Sequence, residues 1–266
     1  MLAERTRLAQ GFSSESLAEA LARHARCLAG GPGRVLKRGD RTRLTAITLA
    51  SGRELVVKEV LPRSLARRLE DLLRPAAPLR EWRAAEALAK LGVPAPRAHA
   101  LVLPAPLGGG SAFVVLDCIA DAIGVNRLAL RLDAKRRRVL IDAAAAFVSA
   151  LHDRGIAHAD LKGSNLLARE RGTAFELFVV DLAELRIGRS VPEAARIEAL
   201  AQLDASTPLV VTRSERLRFL ARYAPDLSRA ERARWFRAVA ARSRARKRVW
   251  DPDYRGVELE DPPASG

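Results

Sequence analysis

The chain is poor in several things, and each shortage removes a class of function. Only two cysteines occur in 266 residues, Cys27 and Cys118, with no CxxC spacing and no neighbouring histidine. That excludes a disulfide scaffold or a structural metal and reads as two free thiols in a reducing cytoplasm. Aromatic residues are 5% of the chain, and the basic segments carry no interleaved aromatic platforms, so nucleic acid is not the expected partner. No apolar run approaches the roughly 18 residues that a membrane-spanning helix needs. The longest, AAAAFVSAL at 143–151, is alanine-rich and runs into His152-Asp153. The start has no continuous apolar stretch, so a cleaved secretory signal is not expected. Lysine is scarce as well: six residues against 40 arginines. A lysine standing where chemistry needs one is therefore informative.

What is plentiful is arginine, and the net charge is +15. An anionic membrane surface or an anionic substrate would suit such a chain, although base composition of the coding DNA alone would produce the same bias. Residues 13–29, SSESLAEALARHARCLA, space Leu17, Leu21, Ala25 and Leu28 for a helix, with serines before it and Gly30-Gly31 after it. Three short strands follow at about 34–37, 43–49 and 54–60, with turns at Arg38-Gly39-Asp40 and Ser51-Gly52. Pro75 and Pro78 introduce a helix, LREWRAAEALAKLG, and SAFVVLDCIA at 111–120 reads as another strand. A helix over 134–153 leads into the segment HADLKGSNLL, and Arg-rich helices close the chain. Strands first and helices later predict two lobes joined near residue 120.

HADLKGSNLL, residues 158–167, puts His158, Asp160, Lys162 and Asn165 into eight positions. Leu166–Ala168 and Phe175–Val180 are natural antiparallel partners across the turn-rich Arg169–Thr173. Asn165 then precedes the first strand and Asp181 follows the second, at the same end of the hairpin and roughly 5 Å apart. An amide oxygen and a carboxylate so placed are hard ligands suited to Mg²⁺ on phosphates. Asp160 reaches the same end from the loop. Upstream, in GRELVVKEV, Lys58 ends an apolar run where packing gives no reason for a lysine.

This arrangement resembles the protein-kinase-like phosphotransferases, whose catalytic loop H-x-D-L-x-x-x-N precedes a hairpin and a metal-binding Asp. The resemblance implies an α+β, bilobal fold with a small antiparallel-sheet N-lobe and a compact, mostly helical C-lobe. It assigns residues 1–32 to an N-terminal helical extension, 33–120 to the N-lobe, 121–260 to the C-lobe and 261–266 to a disordered tail. By the same resemblance Asp160 accepts the proton of the substrate hydroxyl and Lys162 neutralises the transferring phosphoryl group. Asn165 and Asp181 bind Mg²⁺, and Lys58 binds ATP phosphates while pairing with Glu81, or else Glu86, on the next helix. Leu116, Asp117 and Ile119 become the hinge that meets adenine, and Gly39 is what remains of a glycine-rich loop. Ala159 stands where regulated kinases carry an arginine, and Asp181-Leu182-Ala183 replaces Asp-Phe-Gly, so switching by activation-loop phosphorylation is not expected.

Only 85 residues follow Asp181, which suits a compact kinase with a small or glycan substrate. REWRAAEALAKLGVPAPRA, HADLKGSNLL, VVDLAELRI and TRSERLRFLARYA together resemble the bacterial lipopolysaccharide core kinases, which phosphorylate Kdo or heptose. That resemblance implies ATP, Mg²⁺, a lipid-linked glycan or other hydroxyl acceptor, and work at the cytoplasmic face of the inner membrane. An atypical Ser/Thr protein kinase of the RIO type and a nucleotide-binding pseudokinase stand as alternatives. SRAERARWFRAVAARSRARKRVW aligns Trp235, Val239 and Phe236 on one stripe, facing either an anionic membrane or the protein's own core.

Overall fold

Alternation along Glu54–Val60 organises the first half of the molecule. Leu55, Val57 and Glu59 are buried on one face of this strand, which leaves Val56, Lys58 and Val60 on the other. It is the fourth of six strands: β1 (Arg5–Leu8), β2 (Arg34–Arg38), β3 (Thr42–Thr48), β4 (Glu54–Val60), β5 (Ala98–Leu103) and β6 (Ala112–Asp117). They form one antiparallel sheet in the order β1-β5-β6-β4-β3-β2. The structure is a computed structural model and describes residues 5–62, 76–104 and 110–246, with the backbone of 248–250 and 257–259. Pro75 and the tail at 261–266 lie outside the described residues. The chain divides into two units, residues 1–120 and 121–266.

In the first unit, Ser13 caps helix α1 (Ser14–Leu28) by accepting from the Ser16 N–H. Leu17, Ala20 and Cys27 on α1 pack with Ile47, Leu55, Val57 and Val102 of the sheet. Phe12 and the inner face of α1 thus contribute to the core of this unit. Two of its strands escape a periodicity reading. β1 is exposed at all four positions, and the middle four residues of β5 are all buried, so neither alternates. Helix α2 (Ala77–Lys90) starts with proline in its first turn and buries Glu81, Trp82, Ala85 and Leu88.

The second unit contains α3 (Val125–Arg131), α4 (Ala134–Asp153), α5 (Glu193–Ala205), α6 (Arg213–Tyr223) and α7 (Arg229–Ala245). Its strands are β7 (Ile123–Gly124), β8 (Ile156–His158), β9 (Leu166–Arg171), β10 (Ala174–Val179), β11 (Leu185–Ile187), β12 (Arg248–Trp250) and β13 (Val257–Leu259). Caps written in the sequence set the helix starts. Asp133 accepts from the Arg136 N–H ahead of α4, while Thr212 with Glu215 and Ser228 with Glu231 form capping boxes ahead of α6 and α7. Arg137 of α4 and Glu215 of α6 are both buried and meet at 3.0 Å, tying these helices together. Between α4 and β8, Gly155 has φ +72°, and a Cβ there would lie 2.1 Å from the Gly188 carbonyl oxygen; only glycine fits. Trp235 is buried beside Tyr223, so the apolar stripe of α7 faces its own unit. The sheet-then-helix order is the fold class expected. Among the described residues, no helix is long and apolar enough to cross a membrane.

His152 on α4 is 2% exposed, and its Nδ1 lies 2.6 Å from the Tyr223 hydroxyl. Burial, with Arg196 nearby, depresses its pKa from 6.5 to about 4, against a small opposing pull from Asp153. The unfolded chain therefore binds a proton between these values that the folded chain refuses. Stability from this group is complete above about pH 6.5 and declines as pH falls, by roughly 3 kcal/mol once pH drops below about 4. Calorimetric melting across pH 4–7.5 checks this, with His152→Gln giving a flatter profile than the parent. Parallel profiles for the two proteins would remove His152 as the cause.

Candidate active site

Gly155 directs the chain from α4 into β8, and β8 delivers the loop His158–Asn165 into the β9–β10 hairpin. The hairpin register pairs Leu166 with Val179, and the Val180 N–H donates to the Asn165 carbonyl at 3.0 Å. Asn165 therefore stands directly opposite the residue before Asp181, at one end of the two strands. The strands run further than the sequence suggested, since Gly172 and Thr173 alone make the turn. Asp181 adopts the left-handed conformation, φ 58° and ψ 53°, which ends the strand alternation there. Asp and Asn tolerate that region better than most residues.

The loop is braced through its main chain. The Asp160 N–H donates to His158 Nδ1 at 3.1 Å, so the His158 proton sits on Nε2 and donates to the Val180 carbonyl at 3.0 Å. Burial pushes the His158 pKa down, against the Val180 carbonyl and nearby carboxylates that pull it up. A neutral ring bridging the loop to the strand that carries Asp181 is a brace, not a proton carrier. Asn165 Nδ2 donates to the Asp160 carbonyl at 2.8 Å, which turns the amide oxygen to the other side. The Asp160 carboxylate pairs with Lys162 Nζ at 2.9 Å, and both side chains keep access to solvent.

Among the described residues, no cluster of three or more His, Cys, Asp or Glu could cage a metal. Magnesium on a nucleotide does not ask for one, because it is bound through one or two protein oxygens and the phosphates themselves. The Asn165 amide oxygen and the Asp181 carboxylate fit that role.

The first unit carries the other candidate residues. Lys58 Nζ meets Glu81 Oε2 at 2.7 Å, with the Glu81 side chain only 2% exposed, whereas Glu86 is exposed on α2. Glu81 is thus the partner, and the helical face decides it. Gly39 sits in the β2–β3 turn with its N–H donated to the Thr42 carbonyl, and a Cβ there would make only ordinary contacts. At the end of β6, the Asp117 N–H donates to the Arg97 carbonyl and the Cys118 N–H to the Glu54 carbonyl. A base meeting Leu116–Ile119 would have to use Ile119 and carbonyl groups. The Asp117 side chain bonds His99 at 2.6 Å and Arg53 at 3.2 Å; these partners outweigh burial and hold its carboxyl below the usual range. Burial, with Glu54 adding to it, pushes the Cys118 thiol up.

Sequence reasoning missed Gln202 of α5 and Ser206, the residue that caps its C-terminus, which hold the back of the loop. Leu161 N–H donates to Gln202 Oε1 at 2.7 Å, Gln202 Nε2 donates to the Ala159 carbonyl at 2.9 Å, and Gly163 N–H donates to Ser206 Oγ at 2.8 Å. Gly163 is required here, since a Cβ would stand 2.8 Å from Asn126 Cβ. The one sequence signal was their four-residue spacing on a helix. Behind the loop lies a cavity of about 100 Å³ whose lining includes Gly163, Ala129, Leu140, Leu200, Leu203 and Val211.

The geometry agrees with comparisons to known proteins. The sequence model of the lipopolysaccharide kinase (Kdo/WaaP) family matches residues 43–223. A solved structure of WaaP in complex with acyl carrier protein is similar over 91% of this chain and 97% of its own, with TM-score 0.64 and 22% identity. The pseudokinase domain of BIR2, an immune regulator of the RLK/Pelle family, aligns over 91% of this chain and 82% of its own at TM-score 0.48 and 13% identity. The Rio2 kinase from Chaetomium thermophilum, as its ADP/Mg²⁺-phosphoaspartate complex, aligns over 86% and 75% at TM-score 0.43 and 15% identity. No curated protein matches by sequence. The matched span holds Lys58, Glu81, the braced loop and Asp181, and the chain, a phosphotransferase with the protein-kinase-like fold, belongs to the lipopolysaccharide kinase (Kdo/WaaP) family.

Proposed function

We propose that the protein transfers the γ-phosphoryl group of ATP, with Mg²⁺, to a sugar hydroxyl of the lipopolysaccharide inner core, on Kdo or heptose. The observation that carries this reading is the main-chain bracing of Asp160 beside Lys162 and Asn165, in a chain of this family. Asp160 orients the acceptor hydroxyl and takes its proton as the oxygen attacks phosphorus and the bond to the β-phosphate oxygen breaks. Lys162 neutralises charge on the group in transit. Lys58, held by Glu81, takes the α/β-phosphates, while Leu116, Asp117 and Ile119 meet the base. Gly39 contributes only the shape of its turn, its N–H being committed to Thr42. Asn165 and Asp181 hold the metal ion, which when bound supplies charge neutralisation on the phosphates. Such chemistry asks the protein for alignment and charge, and the candidate side chains are carboxylates, an amide and lysines.

A net charge of +15 supports work at the anionic cytoplasmic face of the inner membrane, where a lipid-linked acceptor resides. WaaP was solved with an acyl carrier protein, and we carry that class of partner to this chain.

One assay tests the reading. Purified protein with ATP and Mg²⁺ is offered Kdo- and heptose-containing lipid acceptors, with and without an acylated carrier protein, and products are weighed. A gain of about 80 Da on a sugar acceptor is expected. Phosphate on Ser/Thr peptides alone would favour the RIO-type alternative, and nucleotide binding without transfer to any acceptor would favour a pseudokinase. If the carrier protein alters neither melting temperature nor turnover, that partner is withdrawn.

A further inference from the structure

We infer that Gln202 is a positioning residue for phosphoryl transfer, fixing the direction of the Asp160 side chain by clamping both peptide groups that flank it. The inference rests on the kinase reading above. Two peptide planes meet at the Asp160 Cα, and their rotation sets where the Cα–Cβ bond points. Each plane has one N–H and one C=O. In the plane before Asp160, the N–H is held by His158 Nδ1 and the Ala159 C=O by Gln202 Nε2. In the plane after it, the C=O is held by Asn165 Nδ2 and the Leu161 N–H by Gln202 Oε1. All four groups are engaged, and among the described residues Gln202 alone bonds both planes from one planar head group.

The residue type follows from this demand. One edge of the loop presents an acceptor at 159 and a donor at 161. A side-chain amide answers both at once; a carboxylate answers only the donor, and an ammonium only the acceptor. Ser206, the C-cap of α5, continues the seam by accepting from Gly163 N–H while donating to the Leu203 carbonyl. The Leu161 side chain, 1% exposed, anchors the loop between these bonds. His158 and Asn165 secure the inner edge, and α5 secures the outer one. Without Gln202, both planes keep only one partner each and can rock about Cα160.

A misplacement of about 1 Å at a reacting group can cost roughly 10²-fold in rate. Gln202→Ala is therefore expected to lower kcat by roughly 10–10²-fold while leaving KM for ATP within about twofold, since the nucleotide contacts are untouched. Gln202→Glu gives the signature that a merely structural role would not. Ionised, its second oxygen faces the Ala159 carbonyl and repels it; protonated, its O–H donates there as the amide does. The ratio of Gln202→Glu to parent kcat should rise as pH is lowered from 8 to 6. Amide hydrogen exchange provides a readout independent of turnover: in Gln202→Ala, Leu161 should exchange at least tenfold faster while amides of α4 stay protected.

The two levels of interpretation fail separately. A parent that phosphorylates no acceptor removes the kinase reading, while Leu161 exchange still reports on the clamp. An active parent whose Gln202→Ala variant keeps full kcat and slow Leu161 exchange overturns the inference. So does a Gln202→Glu to parent ratio that is flat with pH. Should Gln202→Ala fold poorly, Gln202→Glu, with its near-identical shape, carries the test alone.

Discussion

Asp160→Asn is expected to leave the protein folded and its phosphoryl transfer about 10²–10⁴-fold slower, the usual loss when a positioned acid/base is removed. The two expectations come from different atoms. Every brace on this residue runs through its main chain, by way of His158, Asn165 and Gln202, and none of them changes with the substitution. The carboxylate alone is altered. Asparagine can accept a hydrogen bond from the acceptor hydroxyl but has no site basic enough to take its proton. The partly exposed pair with Lys162 is lost as well, which costs little stability because solvent screens it. Single-turnover rates with a sugar acceptor, together with melting temperature, test both halves. Turnover at the parent rate would mean that another group removes the proton and that Asp160 has no chemical role.

Lys58→Met is expected to lower ATP use on the order of 10²-fold or more, as the loss of a charge that stabilises the phosphates would, and also to weaken the fold. The second effect is the less obvious one. Glu81 is 2% exposed at its side chain, so removing Lys58 takes a close charge partner from a buried carboxylate, and breaking comparable pairs costs about 3–5 kcal/mol. A low activity for the single variant is therefore ambiguous. The double variant Lys58→Met/Glu81→Leu separates the effects, because it removes the buried carboxylate together with the lysine and restores an apolar filling. Its melting temperature should recover most of the loss while ATP use stays low. Recovery of both would assign Lys58 to structure, and recovery of neither would mean that α2 depends on Glu81 for more than this pair.

The hairpin that carries part of the candidate site was legible because its spacing is local. Asn165 and Asp181 flank the two strands of one hairpin at the same end, and a turn with alternating strands around it was enough to place them together. The same holds for helices α1 and α4, whose caps and apolar periods stand in the sequence almost to the residue. β1 and β5 were not legible. An exposed edge strand and a strand buried on both faces lack the two-residue alternation that marks a half-buried one. The stripe on α7 offered two destinations, membrane or core. The answer came from Tyr223 waiting on a neighbouring helix.

By itself, then, the sequence determined the chemistry on offer: which strand carries a lysine, which loop carries an aspartate, an asparagine and a second lysine, and which hairpin ends on a carboxylate. Tertiary structure alone decided the partners. It chose Glu81 over Glu86, placed the Cys118 and Asp117 N–H groups in the sheet, and brought Gln202 and Ser206 to a loop some forty positions earlier in the chain. The physical reason is that periodicity reports the face on which a residue stands, whereas a hydrogen bond between remote segments depends on how two elements dock. That docking is set by shape and burial summed over many side chains, and no short window of sequence contains it.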